Sequence, residues 1–234
     1  MPYSYFYSYG IEWILIIISL IITFGSQMFI NSAYKKNKKI YTKKGLTGED
    51  VAKKILKENG LTNVKVEETT GILSDHYDPR KKVVRLSPDI FSGTSVASVS
   101  VAAHECGHAI QDKDGYAFLR IRNSIVPIVN LSSTLGYIAI MIGLFLGILG
   151  FLWIGIILEL AILFFQLITL PVEFNASKRG LNEIKKLEIV DNKELGSSRS
   201  MLTAAALTYV ASAATSLLEI IRLLMILNSR ERRR

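Results

Sequence analysis

The chain has 234 residues, of which 50% are apolar and 21% charged, and its formal charge is +8. Its mean hydropathy of +0.31 is too high for a soluble enzyme of this size, so long stretches are expected to lie in lipid. The single cysteine, Cys106, cannot form an internal disulfide, which excludes the disulfide-stapled secreted class. The positive charge does not indicate nucleic-acid binding, because it flanks apolar spans and aromatic residues are not interleaved with it.

The first apolar run, residues 13–34, contains no ionised side chain and is long enough to cross the ~30 Å of bilayer hydrocarbon. It predicts a transmembrane helix over residues 11–34. Six lysines follow within ten residues, at positions 35, 36, 38, 39, 43 and 44. By the positive-inside rule this end faces the cytoplasm and the N-terminus faces outside.

Residues 35–122 are mainly polar and are predicted to form a small cytoplasmic domain of α+β type. Thr47 is followed by acids, and Val51, Ile55 and Leu56 recur at helical spacing, which predicts a short amphipathic helix. Residues 63–67 and 82–86 alternate with period two and predict two strands that flank a loop over 71–79. The strand over 82–86 is expected to bind an extended peptide along its edge. Residues 92–112 predict a helix that begins at a Ser or Thr cap.

This last helix contains His104-Glu105-Cys106-Gly107-His108, an H-E-x-x-H pattern. The spacing places the imidazoles of His104 and His108 one turn apart, close enough to bind one Zn²⁺. Glu105 lies on the neighbouring flank and can reach a water on the metal without being a ligand, as a general base must. Cys106 points away from the histidines and is expected to be a packing residue. Glycine in a helix interior lowers stability by ~1 kcal/mol relative to alanine. Tight packing beside the metal is a reason for Gly107 to occupy this position.

Between Arg122 and Glu173 the only acid or base is Glu159. A single helix of that length would extend about 75 Å at ~1.5 Å per residue, so residues 125–171 predict a transmembrane helical hairpin. Its turn is expected at residues 147–150, and Pro171 is expected to end the second span. Glu159 in mid-span is predicted to bond to Ser, Thr or backbone of a neighbouring helix rather than to pair with Arg222.

Residues 172–200 are predicted to be a second cytoplasmic segment. The final apolar run, residues 201–228, predicts either a fourth span or a helix packed under the catalytic region, and a span is favoured because 18 uncharged residues precede Glu219. A fourth crossing places the arginines of the tail outside, against the charge bias. The predicted fold class is therefore a mainly α membrane protein with three or four transmembrane helices and a small α+β zincin-like domain that carries the HExxH helix.

A catalytic zinc ion usually has three protein ligands and one open position. No histidine follows His108, which excludes the extended H-E-x-x-H-x-x-G-x-x-H arrangement and leaves a downstream carboxylate or His76 as the third ligand. Glu173 is favoured because it follows a span that returns to the side of the HExxH helix. His76 is also a catalytic candidate, since it could hydrogen-bond the oxyanion of a tetrahedral intermediate. Its alternative is a local turn bond with Asp75 or Asp78.

Four segments together resemble the YugP-like neutral zinc metallopeptidases of bacterial membranes. They are Leu170-Pro-Val-Glu-Phe-Asn-Ala-Ser177, His104-Glu-Cys-Gly-His-Ala-Ile-Gln111, Asp75-His-Tyr-Asp-Pro-Arg80 and residues 204–210. The resemblance extends over nearly the whole chain, and the family is a distant relative of the HtpX-like and CAAX-prenyl-protease-like membrane metallopeptidases.

In those relatives a glutamate in a Glu-x-x-Ala-Asp context is the third zinc ligand, and the resemblance implies the same role for Glu173. The position that matches the aspartate holds Ser177 instead. A carboxylate that orients a ligand is therefore missing, and Asn175 or a residue elsewhere must take that role.

The predicted function is a membrane-bound, gluzincin-like, zinc-dependent endopeptidase. His104, His108 and Glu173 are the expected metal ligands, Glu105 activates a zinc-bound water, and His76 is a further catalytic residue. The expected partners are Zn²⁺, the lipid bilayer and a peptide or protein substrate, membrane-associated substrates included, with no nucleic acid. The protein is expected to be a multi-pass protein of the cell membrane with its active site on the cytoplasmic side.

Two alternative functions stay open. The first is an intramembrane-cleaving metalloprotease, because residues 90–111 carry no ionisable group besides the motif itself. The second is a non-catalytic membrane scaffold with a vestigial zinc site.

Overall fold

A computed structural model describes residues 3–71 and 74–232, and the side chains of residues 3–9 lie outside that description. The described chain is mostly helical and contains one small sheet. The helices are α1 (Tyr3–Lys38), α2 (Gly48–Glu58), α3 (Pro88–Phe91), α4 (Val96–Lys113), α5 (Ala117–Leu146), α6 (Leu149–Lys186) and α7 (Asn192–Glu231). The strands are β1 (Lys65–Glu68), β2 (His76–Asp78) and β3 (Val83–Leu86). The chain divides into two compact units, one of residues 28–120 and 170–207 and one of the remaining segments.

Helix α2 begins at a capping box, as its sequence predicts. The Thr47 hydroxyl accepts a hydrogen bond from the Asp50 N–H, and the Asp50 carboxylate accepts one from the Thr47 N–H. Two of the unpaired donors at the helix start are thereby satisfied. The apolar face with Val51, Ile55 and Leu56 is buried in the core of the first unit, which confirms the amphipathic helix.

The sheet has the strand order β1-β3-β2, with β3 parallel to β1 and antiparallel to β2. Two expectations are wrong here. Strand β2 lies inside the predicted loop over 71–79, because a strand of three residues is too short to show a periodic pattern. Strand β3 is the central strand, so residues 82–86 have no free edge along which a peptide could pair. Val84 and Leu86 are instead fully buried.

Helix α4 is capped by Ser95, whose hydroxyl accepts a hydrogen bond from the Ser98 N–H. The predicted cap is confirmed, but the helix expected over 92–112 begins only at Val96, after the separate turn of α3. Ala102, Ala103 and other small side chains on α4 are fully buried. Small side chains let neighbouring backbones approach closely.

The hairpin turn lies between the end of α5 and the start of α6, where Gly147 has a φ of +70°. Glycine adopts this left-handed conformation readily, and the predicted turn is confirmed. The prediction that Pro171 ends the second span is wrong, because α6 continues through Pro171 to Lys186. A proline removes one backbone hydrogen bond, which a packed helix tolerates. Glu173 therefore lies on α6 and not in a segment after it.

Four helices are long and apolar enough to cross a membrane, by length and composition. They are Gly10–Lys38, Ala117–Leu146, Leu149–Lys186 and Asn192–Glu231. Large apolar side chains such as Trp13, Phe24 and Phe145 are exposed on them, as lipid contact requires. The described chain thus fits a multi-pass membrane protein with four candidate spans.

Within the second unit, Leu152 and Ile156 of α6 belong to one buried cluster with residues of α7. The Glu159 carboxylate accepts a hydrogen bond from Ser216 of α7. Arg222 pairs instead with Glu219, one turn away on its own helix, at 2.5 and 2.8 Å. The predicted bond of Glu159 to a serine of a neighbouring helix is confirmed.

Arg230 connects the end of α7 to the end of α5. Its Nη1 and Nη2 atoms donate to the carbonyl oxygens of Gly143 and Leu144, at 2.9 and 3.0 Å. Carbonyls in the last turn of a helix lack partners within the helix, and a cation there also complements the helix dipole. The C-terminal end of α7 therefore lies beside the hairpin turn, as a fourth span requires.

We expect Arg230→Met to destabilise the protein by about 1.5–3 kcal/mol, because it removes two hydrogen bonds from a charged donor. The measurement is the thermal unfolding midpoint of the purified protein in detergent. Arg232→Met, which removes an exposed cation of the same helix end, is the matched control and should unfold like the wild type. Equal midpoints for the two variants would contradict the capping role of Arg230.

Candidate metal centre

Two glycines set the distance between α4 and the C-terminal part of α6. A Cβ atom on Gly107 would collide with the backbone of Ala176, and one on Gly180 would collide with the backbone of Ala103. The two helices therefore cross at backbone contact, which a larger residue at either position would prevent. This crossing brings the HExxH turn of α4 to the turn of α6 that begins at Glu173. Gly107 has the packing role that was expected of it.

His104, His108 and Glu173 converge at this crossing. Their candidate ligand atoms all lie within 4.8 Å of one another. The Glu173 Oε2 atom is 3.2 Å from Nε2 of His104 and 3.7 Å from Nε2 of His108. Glu173 is only 3% exposed, and a carboxylate buried to that degree requires a cationic partner or a proton. The three side chains form a ready position for a cation.

The outer nitrogens of the two imidazoles are hydrogen-bonded away from Glu173. Nδ1 of His104 lies 3.0 Å from the Ser177 hydroxyl, and Nδ1 of His108 lies 3.0 Å from the amide oxygen of Gln111. Metal-ligating histidines are typically held in this way, with the other nitrogen free for the metal. Two imidazole nitrogens and one carboxylate oxygen are a donor set of catalytic zinc sites. The residues present therefore fit zinc.

Glu105 is buried beside these residues. Its carboxylate accepts a hydrogen bond from the backbone N–H of Tyr77 in β2. Burial raises the pKa of Glu105 to about 7. The electrostatic influence of the neighbouring His104 opposes that rise in pKa, whereas the negative charges of Glu173 and Asp75 add to it. A carboxylate whose pKa is near neutral is suited to accept and release a proton during a reaction.

His76 lies at an exposed position of β2. Among the described residues, the cluster that could hold a metal ion consists of His104, His108 and Glu173 and does not include His76. Its Nδ1 atom donates to the carbonyl oxygen of Ser74 at 2.8 Å, and its Nε2 atom lies 3.4 Å from Nη1 of Arg85. This is a local turn bond to backbone rather than to a neighbouring aspartate. The catalytic role of His76 stays a prediction.

Cys106 is fully buried, and its Sγ atom lies 3.7 Å from the carbonyl oxygen of Ala52. Burial raises the pKa of the Cys106 thiol, which disfavours the reactive thiolate. Gln111 was missed as a functional residue, although it follows His108 by three positions on the same helix. Side chains at that spacing are neighbours, so the spacing was a usable signal.

We expect Gly107→Ala to destabilise the protein by about 1–3 kcal/mol, because the added methyl group overpacks the contact between α4 and α6. Thermal unfolding in detergent would measure the change. Gly196→Ala is the matched control, since Gly196 is a helical glycine whose added Cβ would meet nothing within 4 Å. The control should be neutral or more stable by up to ~1 kcal/mol. A similar response of both variants would contradict the close crossing.

The chain is similar to a known protein family and to a curated bacterial protein. A family described as "Putative neutral zinc metallopeptidase" matches residues 12–228 of the chain. "Putative membrane protease YugP" of Bacillus subtilis (strain 168) is 44% identical over 218 residues, which cover 93% of this chain and 97% of that protein. No solved structure matches the chain. His104, Glu105, His108 and Glu173 all lie inside the residues that the family matches.

Proposed function

We propose that this chain, which belongs to the "Putative neutral zinc metallopeptidase" family, is a membrane-bound zinc-dependent endopeptidase. His104, His108 and Glu173 hold the zinc ion, and Glu105 is the general base. The observation that carries the proposal is the convergence of the three ligand atoms within 4.8 Å of one another. A buried carboxylate with a pKa near 7 beside them supplies the second requirement of metal-assisted hydrolysis.

Zinc bound at this position would polarise the scissile carbonyl and lower the pKa of water. Glu105 accepts a proton from the attacking water while the water oxygen bonds to the carbonyl carbon. It then gives this proton to the amide nitrogen as the C–N bond breaks. The Tyr77 N–H holds the carboxylate of Glu105 from the side of β2, which restricts its orientation. One water molecule is consumed for each peptide bond, and no redox change occurs.

We further propose that substrate pairs with the outer edge of β2, in place of the strand over 82–86. Among the strands of the described residues, β2 pairs with β3 along one edge, and an extended peptide can add to the other edge. Asp112 of α4 secures this strand, because its carboxylate accepts hydrogen bonds from the Tyr77 hydroxyl at 2.7 Å and from Lys82 at 2.6 Å. His76 lies in the same strand, and its proposed bond to an oxyanion would require Nε2 to leave Arg85.

A water-facing centre is favoured over cleavage within the bilayer. Helix α4 is not among the four candidate spans of the described chain. The acids that follow the motif are paired with cations, Asp112 with Lys82 and Asp114 with Arg179. We propose that this centre faces the cytoplasm, because the lysines after the first span mark the cytoplasmic end. Its partners are then the bilayer and a peptide or protein substrate, membrane-associated substrates included.

Glu105→Gln and Glu173→Gln should separate catalysis from metal binding. Glu105→Gln is expected to retain one zinc per chain and to lose at least about 100-fold in cleavage rate, because the general base is gone. Glu173→Gln is expected to lose both zinc and activity. Zinc content by elemental analysis and hydrolysis of an unfolded test protein measure the two effects. Wild-type cleavage by Glu105→Gln would contradict the mechanism, and a zinc-loaded but inactive wild type would favour the scaffold.

Cysteine labelling tests the proposed orientation. In a Cys106→Ser background, we expect Lys178→Cys to react with a membrane-impermeant maleimide only after the membrane is opened. Arg232→Cys, at the hairpin-turn end of α7, should react in intact cells, because four spans place the two positions on opposite sides. Both positions are exposed. The reverse labelling pattern would place the centre outside the cell, and labelling of both from one side would contradict four crossings.

A further inference from the structure

We infer that Gln111 is the positioning residue of His108, held in place by a neutral hydrogen-bond chain through Asn175 to Arg179. The inference rests on the proposed zinc site and assigns to that site residues that are not ligands. All the residues concerned lie on α4 and on the C-terminal part of α6, within the first compact unit.

The orientation of the Gln111 amide is fixed by its neighbours. Gln111 is fully buried, and its Nε2 atom donates to the carbonyl oxygen of Val172 at 2.8 Å and to Oδ1 of Asn175 at 3.0 Å. Both partners are acceptors, so the amide nitrogen must lie on their side and the amide oxygen must face His108. Because that oxygen only accepts, Nδ1 of His108 carries the proton and Nε2 keeps a lone pair for the metal.

The far end of the chain fixes Asn175 in the same way. Its Oδ1 atom accepts from Gln111 and also from Nε of Arg179, at 2.8 Å. Arg179 in turn donates from Nη1 to the Asp114 carboxylate at 2.5 Å. A guanidinium has no acceptor, so the Asn175 side chain cannot be turned over without losing both bonds. The ion pair of Arg179 and Asp114 is therefore connected to His108 through the two neutral amides of Asn175 and Gln111.

Neutral side chains take the place of the aspartate that is absent at position 177. His104 bonds to the Ser177 hydroxyl and His108 bonds to an amide oxygen, so neither imidazole faces a carboxylate on its outer nitrogen. A carboxylate partner makes a ligating histidine more basic than a neutral partner does. Glu173 is then the one negatively charged ligand of the proposed site. A bound dication would therefore keep more of its positive charge than it would if a carboxylate also faced an imidazole.

The chain also predicts that a carboxylate cannot replace Gln111, although the two side chains have the same shape. Glu at this position would place an oxygen opposite the Val172 carbonyl oxygen and Asn175 Oδ1. Both hydrogen bonds from Gln111 would be lost, and a carboxylate oxygen would face two acceptor oxygens without a proton between them. A site in which position 111 only needed to bond to His108 would accept Glu without loss.

The test is zinc affinity of the full-length protein in detergent, measured by competition with a chromophoric chelator. Gln111→Met, which keeps the volume, and Gln111→Glu are each expected to bind zinc about 10–100-fold more weakly than the wild type. Asn175→Leu should weaken zinc binding, and Asn175→Asp should recover part of that loss because its carboxylate still accepts both bonds. Asn182→Leu, at an exposed position of α6, is the control for the substitution itself and should bind like the wild type.

Unfolding midpoints of the zinc-free proteins separate positioning from packing. If Gln111→Met unfolds earlier but binds zinc with wild-type affinity, Gln111 only packs and the inference is overturned. Tighter zinc binding by Gln111→Glu would overturn it as well. Should Gln111→Met fail to fold, equal affinities of Asn175→Leu and Asn175→Asp would overturn it. A wild-type protein that binds no zinc would reject the proposed function too, whereas the other outcomes leave that function standing.

Discussion

The contact between the backbones of α4 and α6 is the constraint on which the centre depends. Gly107 and Gly180 each leave no room for a Cβ atom against the opposite helix. At this distance Glu173 from α6 reaches two histidines from α4. Ser177 bonds to His104, and the Val172 carbonyl oxygen bonds to Gln111. If the two helices crossed at a greater distance, Glu173 would move away from the histidines, and the groups that orient the histidines would move away as well. All of these residues lie on the same two helices.

Burial of Glu173 explains why this cluster suits a metal ion. Glu173 is almost completely buried between two imidazoles whose outer nitrogens have neutral partners. An ionised carboxylate is costly to bury, and a divalent ion bound beside it would offset part of that cost. Arg179 is paired with Asp114 and is linked to His108 through the amides of Asn175 and Gln111.

Much of the fold was predictable where the signal is local. Three features depend on residues a few positions apart: the capping box at Thr47, the turn at Gly147 and the spacing of His104 and His108. The bond of Glu159 to a serine was predictable because an unpaired ionisable group within a membrane span is energetically costly. The errors concern longer-range packing. Pro171 reads as a helix end, yet α6 continues through it, and β3 reads as an edge although β2 covers it. The spacing of Gln111 from His108 indicates that the two are neighbours, but the bonds of Gln111 to Val172 and Asn175 depend on the helix crossing, which spacing along one helix does not reveal.

The proposed metal centre can be examined by X-ray absorption at the zinc edge of the purified full-length protein. We expect one zinc per chain with nitrogen and oxygen ligands at ~2.0–2.1 Å and outer-shell scattering from two imidazole rings. Sulfur at ~2.3 Å would indicate Cys106 as a ligand and contradict the buried position of that residue. Scattering from a single imidazole, or the absence of stoichiometric zinc, would contradict the convergence of His104, His108 and Glu173 on one metal ion.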